Sequence, residues 1–533
     1  MAGVSCAEAI LTCVSSLKDR VLREGWSGVG SSKSGGDRDS SRDRWHVTLV
    51  SSERVLKRSE VTLERDMSSG YDVDVAVGGS DEVVRWLRSK GGDSGRVSLE
   101  FVQGTVVGLD VVRHEVRVTT GDGRIDRKGE EEVVGVVSLS YDRLCVCTGS
   151  SPKRVLGSAE VVTVRDTDSV AGVAAMLEGA MIGGEGGRLV VVGNGGIALD
   201  VVANVRGVDV CWVVRHGSIG DAFFDGECGA FLEEEMVGLR RAGGAGAGVK
   251  NGGDFSGVYA PRASTKQPVM GGASVGPAWA GGLGGGTRAY GELVVEKGCE
   301  VVRVEKVEGT VEGGRGSSRY RVGLSNGKEI ADVSVIVSAI GVDPTPNVSW
   351  LPLEVVRAPD GGILVDSDMR TSCAGVFAAG DACTVSRGGG GGGGDGNAGW
   401  FQMRLWSQAR SMGIRAAHCM LGVQDQMASD LAFDLFTHVT TFLGKRVVLL
   451  GSFNGQGLEE DAGGVRFVSR VTGDVPGQRS FVRVVLQGGR VKGAICIGET
   501  DLSEVLEHLI LDGLDVSAFG DELLTIDLED IFD

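Results

Sequence analysis

Three small residues at fixed spacing carry the first chemical signal in this chain: Gly193, Gly195 and Ala198, within RLVVVGNGGIALDVV (residues 188–202). They fit G-x-G-x-x-G/A, the turn that seats a dinucleotide pyrophosphate at a helix N-terminus. The first glycine makes the tight turn and the second lets the pyrophosphate approach the backbone. The small third residue lets helix and strand pack closely. Asn194, Gly196 and Ile197 complete the turn between an apolar strand and a helix-like run. Glycine-rich βα turns also occur in α/β domains that bind nothing, so partners elsewhere in the chain decide the matter. A second strand, residues 208–214, ends in Arg215-His216, where an acid would hydrogen-bond an NAD ribose. Arginine there tolerates a 2′-phosphate, which leans the reading toward NADPH or dual use. A solvated arginine is the plain alternative.

Other residues of chemical interest sit at strand ends. Residues 144–147 form an apolar strand that exits through Thr148-Gly149-Ser150-Ser151-Pro152, and glycine there lets backbone approach a ligand. Residues 376–379 end in Gly380-Asp381, whose carboxylate can accept hydrogen bonds from cofactor hydroxyls. A helix N-cap or turn aspartate is the alternative. Glu53 follows the strand at 45–50, about where an acid meets an adenosine ribose; a surface glutamate serves as well. His438 and His418 are candidates by residue type only, and a structural role suits each.

The elements that position these residues need more than one core. At 533 residues, two to four domains are expected. A hydrophobic content of 42% fits a globular protein, and no apolar run is long enough to span a membrane. The start, MAGVSCAEAIL, lacks the basic region of a secretory signal, and Ala2 excludes N-myristoylation. These features point to cytoplasm, nucleus or both. A net charge of −18 argues against nucleic-acid binding through a broad basic face. The eleven cysteines contain no C-x-x-C and no zinc spacing, which suits a reducing compartment and inert thiols. Cys145 and Cys147 should point to one face of a strand, poorly placed for a disulfide, as core thiols.

In chain order, residues 3–22 read as an amphipathic helix with no strand before it, and 25–44 as a loop-like insertion. A short helix at 81–90 precedes three runs, 97–107, 111–119 and 133–140, that read as a β-meander. After a helix at 167–181 and the fingerprint comes a glycine-rich, low-complexity stretch, 242–289. Strands at 300–304, 320–324 and 333–337 lead to Ala339-Ile340-Gly341. Fingerprint, meander, buried strand and glycine exit thus occur twice, the first copy without its opening strand. Residues 400–420 read as a helix with Leu405, Ala409, Met412, Ala416 and Met420 on one stripe. Residues 433–533 read as a separate α+β domain with an acidic tail at 527–533.

Taken together, VVGNGGIALD, IGDAFFD (219–225), GPAW (276–279), FAAGDAC, QMRLWSQARSMG (402–413) and FDLFTHVTTFLGKRVVLLGSFNGQG (433–457) resemble the pyridine nucleotide–disulfide oxidoreductases. The last stretch, with IGETDL (497–502) and the closing EDIFD, resembles one branch of that class. The resemblance implies an α/β fold: two Rossmann-like, glutathione-reductase-like domains for FAD and NAD(P)H, plus the C-terminal α+β domain. Its parts would be residues 1–158 and 358–425 for FAD, 159–357 for NAD(P)H and 426–533 for the C-terminal domain. It implies that Gly380, Asp381, Thr148, Gly149 and backbone at Val106 lie along FAD, with a helix starting near Gln402 and Met403 aimed at the flavin. Gly193, Gly195, Gly196, Ile197 and Ala198 would hold NAD(P)H, with Gly341 at that domain's exit.

Two departures stand out. Met1-Ala2-Gly3 supplies only the last glycine of an FAD fingerprint, so an N-terminally truncated gene model or fragment is expected. The redox-active cysteine pair of disulfide reductases is absent. The implied activity is therefore electron transfer from NAD(P)H through FAD to a non-disulfide acceptor. The branch is associated with protecting an oxidation-sensitive partner, the tRNA ligase complex in particular. The alternative is a non-catalytic, NAD(P)H-responsive binding protein that has lost FAD, and an inactive gene product is a third.

Overall fold

The computed structural model of the chain describes residues 2–16, 45–52, 55–61, 73–91, 97–120, 135–165, 167–182, 187–244, 270–271, 289–307, 319–386, 401–423, 435–458 and 464–525. Helix α1 (Ala2–Ser16) buries Val4, Cys6, Ala7, Ile10 and Leu11 as a stripe at helical spacing. It packs on the parallel pair β1 (Trp45–Ser51) and β2 (Val97–Gln103), and beside it on the helix Ser80–Lys90. A three-stranded meander follows: β3 (Thr105–Asp110), β4 (Glu115–Thr120) and β5 (Gly135–Ser140). Then comes β6 (Leu144–Val146).

The run at 97–107 is not one meander strand but two strands with different partners. The break falls at Gly104, where an added Cβ would lie 2.6 Å from the Thr119 carbonyl oxygen. Only glycine passes that close, so the chain leaves β2's parallel pairing and enters the meander there.

The second sheet has the order β9-β8-β7-β12-β11-β10, with Val162–Thr163 pairing on β12 as a seventh strand. Here β7 is Arg188–Val192, β8 Asp209–Val214, β9 Leu293–Lys297, β10 Val301–Val307, β11 Arg319–Leu324 and β12 Glu329–Ser338. Strands β9, β8, β7 and β12 run parallel, and β10 and β11 add an antiparallel edge. Parallel strands are covered on both faces. Accordingly Leu189, Val190, Val191, Val210, Trp212 and Val213 are all essentially inaccessible. Helix α2 (Gly196–Asn204) joins β7 to β8, and α3 (Gly226–Gly244) follows β8. Strand β9 went unread in the sequence because it emerges from the glycine-rich stretch. Of residues 242–289, Met270–Gly271 pair with Val73–Gly79.

Strand β13 (Val376–Ala378) returns to pair in parallel with β6. Among the described residues, β1–β2 and β6–β13 remain two separate parallel pairs. Helix α4 (Trp406–Leu421) buries Ala409, Met412, Ala416 and Met420 against α1 and β13, while Leu405, the fifth residue of the expected stripe, precedes the helix and packs on the core of the β7–β12 sheet. The helix begins at Trp406, so residues 401–405 form a non-helical approach.

The C-terminal sheet has the order β14-β15-β18-β17-β16 and is antiparallel throughout. Its strands are β14 (Thr437–Phe442), β15 (Lys445–Gly451), β16 (Val465–Thr472), β17 (Ser480–Gln487) and β18 (Arg490–Ile497). Side chains alternate between faces. Val448, Leu450, Val482, Val484, Ala494 and Cys496 face helix α5 (Ser503–Asp512). Val447, Leu449, Phe481, Ile495 and Ile497 join the core of α2, α3 and β8, with Phe231, Leu232 and Met236. Burial on both faces explains why these strands read as continuous apolar runs. The residues expected to stand apart thus share a core with the β7–β12 sheet.

Polar pins reinforce that seam. Arg483, 1% exposed, donates to the carboxylates of Asp225 and Glu227, and its Nε donates to Ser469 Oγ at 3.1 Å. Glu235, fully buried on α3, accepts from Arg479 Nε at 2.6 Å and Gly477 N at 2.8 Å, and pairs with Lys445 at 3.3 Å. Among the described residues no helix is long and apolar enough to cross a membrane, and no cluster of metal-binding side chains occurs.

Candidate functional site

The fingerprint turn is held by three hydrogen bonds, two from β8 and one from the end of β12. Gly193 N donates to Val213 O at 3.1 Å, Trp212 Nε1 donates to Gly193 O at 2.7 Å, and Ala339 N donates to Val192 O at 2.7 Å. Gly193 has φ +131°, and a Cβ on it would fall 2.2 Å from Ala339 O. Gly195, by contrast, has no atom of the described residues within 4 Å of a built Cβ, and Gly341 (φ +92°) is likewise open among them. Gly195 is the N-cap of α2 and no side chain caps the helix, so its first amide groups remain available to an anion. Ala198 is fully buried and permits the close helix–strand packing expected of it.

Asn194 turns its side chain into the protein. It donates to Ser218 O at 2.8 Å and to Asp221, and accepts from Gly220 N at 2.6 Å. What this residue offers a ligand is therefore backbone. Arg215 is 71% exposed and pairs with Glu300 at 3.2 Å at the open end of β8. A Cβ on Gly196 would meet Phe223 at 3.3 Å and Phe442 at 3.6 Å, so that side of the turn is walled by one aromatic from the turn after β8 and one from β14.

The two glycine exits meet. Lys153 N donates to Gly341 O at 2.9 Å, and Ser151–Pro152 pair antiparallel with Val342–Asp343. Asn347 ties the same seam by donating to Thr148 O at 2.7 Å. On the exit from β6, Gly149 (φ +69°) has only Arg165 near, at 3.9 Å, and the Thr148 hydroxyl is buried without a partner among the described residues. Ser150 Oγ donates to Asp381 Oδ2 at 3.0 Å, across 231 residues of sequence. Burial pushes the Asp381 carboxyl up, and the Ser150 hydrogen bond opposes this. Gly380 (φ +75°) makes the turn that presents it.

Gln402 and Met403 do lie beside this turn, in the approach to α4 and not in the helix itself. Gln402 donates to Cys383 O at 2.9 Å and accepts from Val385 N at 3.0 Å, and Met403 N donates to Gln408 Oε1 at 2.8 Å. Arg404, which the sequence did not flag, binds the pieces together. Its Nε donates to Asp381 O at 3.2 Å, and Nη2 donates to Asp360 Oδ2 at 2.6 Å and Thr384 Oγ1 at 3.0 Å. Its backbone φ of +55° is a conformation that side-chain-bearing residues adopt only where surroundings enforce it. Gly3 lies in the first turn of α1, where a Cβ would sit 3.3 Å from Cys147 Cβ and 4.0 Å from Leu49. Val106 sits in the meander opposite Val118, packed on the core beneath α1 and α4. Glu53 lies outside the described residues.

His438 is 4% exposed, 3.4 Å from Ser407 Oγ and stacked on Phe223 with ring centroids 6.0 Å apart. Burial lowers its pKa to about 4, so it is neutral at physiological pH. The unfolded chain takes up this proton near pH 6.5 and the folded chain near 4. Stability is thus complete above about pH 6.5 and is lost as pH falls through 4, by about 3 kcal/mol at the limit. Urea midpoints between pH 7 and 4 should fall more steeply for the native chain than for His438→Phe; equal slopes would rule the effect out.

The β7–β12 sheet and the β6–β13 pair, joined through their glycine exits, define the class of protein. The family model described as pyridine nucleotide-disulphide oxidoreductase matches residues 287–413. The chain belongs to this family, in the branch of pyridine nucleotide-disulfide oxidoreductase domain-containing protein 1. It is 35% identical over 420 residues to that protein of Mus musculus, covering 74% of this chain and 79% of the relative. With the Danio rerio protein it shares 38% identity over 407 residues, covering 74% and 78%. Among solved structures, the ferredoxin reductase for the CYP199A2 system from Rhodopseudomonas palustris aligns with TM-score 0.54 at 15% identity. That alignment covers 98% of this chain and 97% of that one, a likeness of fold.

Proposed function

We propose that the chain is an FAD-dependent NAD(P)H oxidoreductase that passes electrons to an acceptor other than a disulfide. The observation that carries this reading is the seam between the exits, Lys153 N to Gly341 O at 2.9 Å, which joins the glycine exit after β6 to the glycine exit after β12. Gly193, Gly195, Gly196 and Ile197 would hold the NAD(P)H pyrophosphate by backbone at the start of α2, with Ala198 packed beneath. Arg215, exposed at the end of β8, suits a 2′-phosphate. On the other side, Gly3, Thr148, Gly149, Gly380 and Asp381 would hold FAD, and the unpartnered Thr148 hydroxyl and open Gly149 fit a ligand there. The chemistry such a flavin would supply is hydride acceptance from a nicotinamide and onward electron transfer. The chain's part would be to hold both groups by backbone, with the approach to α4 fixed by Gln402, Met403 and Arg404. Resemblance to the branch extends the proposal to protection of an oxidation-sensitive partner such as the tRNA ligase complex.

An absorbance spectrum with anaerobic NADPH and NADH addition tests this. A band near ~450 nm that bleaches on reduction is expected. A colourless chain that FAD cannot reconstitute would favour the second reading, a non-catalytic NAD(P)H-responsive binding protein. One observation supports that reading: the β1–β2 and β6–β13 pairs stay separate among the described residues.

Gly195→Ala isolates the nucleotide. With φ of −96° and no neighbour within 4 Å among the described residues, alanine fits the folded chain. Its methyl group meets only what binds there. The expected result is an unchanged melting temperature with NAD(P)H affinity weakened roughly tenfold, ~1.4 kcal/mol. Unchanged affinity in a fluorescence titration would remove Gly195 from the site.

A further inference from the structure

Three thiols meet where α1 crosses β6. Cys145 and Cys147 leave the same face of one extended segment, and their Sγ atoms are 3.5 Å apart. Cys6, buried on α1, lies beside Cys145. Cys145 and Cys147 are half-buried residues at the margin of the core beneath α1. The Cys145–Cys147 hydrogen bond pushes the Cys145 thiol well up and holds the Cys147 thiol below its ordinary range, so Cys147 is the more readily ionised of the two. Gly3, in the first turn of α1, lies against Cys147, and a positive helix end favours a thiolate there.

We propose that Cys6, Cys145 and Cys147 form a two-electron redox site that a hydroperoxide oxidises to a disulfide, with Cys147 attacking and Cys145 resolving. The Cys147 thiolate bonds to one peroxide oxygen, the O–O bond breaks, and the other oxygen leaves as hydroxide or alkoxide and takes up a proton. Cys147 is then a sulfenic acid. Cys145 sulfur bonds to Cys147 sulfur, and the sulfenic oxygen departs as water with the Cys145 proton. In sum, two thiols and one hydroperoxide give a disulfide, an alcohol or water, and one further water. The sulfurs lose two electrons and the peroxide gains them.

The third thiol has a role in this scheme. Alternate strand residues lie about 6.6 Å apart at Cα, near the upper limit for a disulfide, so the first bridge is strained and labile. Cys6 relieves it by attacking Cys145 sulfur and releasing Cys147, which moves the bridge to α1 without further oxidation.

The test is hydrogen peroxide at a few equivalents on the full chain as purified, with dimedone trapping and peptide mass spectrometry. Cys373, half-buried in the same chain, serves as the reference thiol. Dimedone is expected on Cys147 at least tenfold faster than on Cys373. Without dimedone, a linked peptide containing Cys145 should form with the loss of two hydrogens. C145S should prolong the sulfenic acid on Cys147, and C6S should hold the bridge at Cys145–Cys147. Oxidation of Cys147 no faster than Cys373, or Cys145 left alkylatable after Cys147 has reacted, overturns the proposal. The wild-type trapping needs no variant, so it decides even if a substitution misfolds.

Discussion

Alanine at Gly193 is expected to abolish NAD(P)H binding and to lower stability by about 3 kcal/mol, unlike alanine two residues on. At φ +131° the backbone is already outside what a side-chain-bearing residue adopts readily, and the new methyl would lie 2.2 Å from Ala339 O. Neither partner can retreat. Ala339 is fixed by its hydrogen bond to Val192 O, and Gly193 by Val213 O and the Trp212 indole. Relief would require β7 and β12 to part at their carboxyl ends, in the middle of the sheet. A urea melt and a nucleotide titration on Gly193→Ala and Gly195→Ala together check this. The first should fail both measurements and the second only the titration. A Gly193→Ala chain with native stability would mean that the turn is looser than its contacts indicate.

The second large effect belongs to Glu235. Its carboxylate is fully buried and takes Arg479, Lys445 and the Gly477 amide. Glu235→Ala removes the shared acceptor; Arg479 keeps Glu234, but Lys445, about one-tenth exposed, is left among the described residues with only the Gly477 carbonyl, at a cost of about 3 kcal/mol. Lys297 and Glu233, also joined through α3, are each one-third exposed; Lys297→Ala should cost under about 1 kcal/mol. Because Glu235 joins α3 to the C-terminal sheet, its loss should also broaden or split the thermal transition seen by calorimetry. A single sharp transition within about 1 kcal/mol of the native one would show that the apolar seam alone suffices.

Much of the site was legible because its signals are local. Gly193, Gly195 and Ala198 announce themselves by spacing, and Gly149, Gly341 and Gly380 by their place after apolar strands. What could not be read joins residues far apart in sequence. Arg404 with Asp360, Ser150 with Asp381, and Asn347 with Thr148 are ordinary surface-type residues until the fold makes them neighbours. The helix start was misplaced to Gln402 because Arg404 suits a helix by propensity, while its actual backbone is set by three side-chain bonds. The C-terminal sheet misled for a different reason. A strand such as FVRVVL looks the same whether its second face meets its own domain or another. The arginine within it was the signal, since a buried guanidinium requires carboxylates, and those stand 258 and 256 residues away, at Asp225 and Glu227.

The shared core bears on how cells would treat incomplete copies of this chain. A polypeptide released before Leu435 would leave Phe223, Phe224, Phe231 and Met236 without Phe442, Phe481 and Ile495 to cover them. Such greasy, sticky surfaces are what chaperones hold and proteases clear. A premature stop codon late in the gene should therefore deplete the whole product and not spare an active N-terminal portion. Missense changes in β17 or β18 should act in the same way, through abundance.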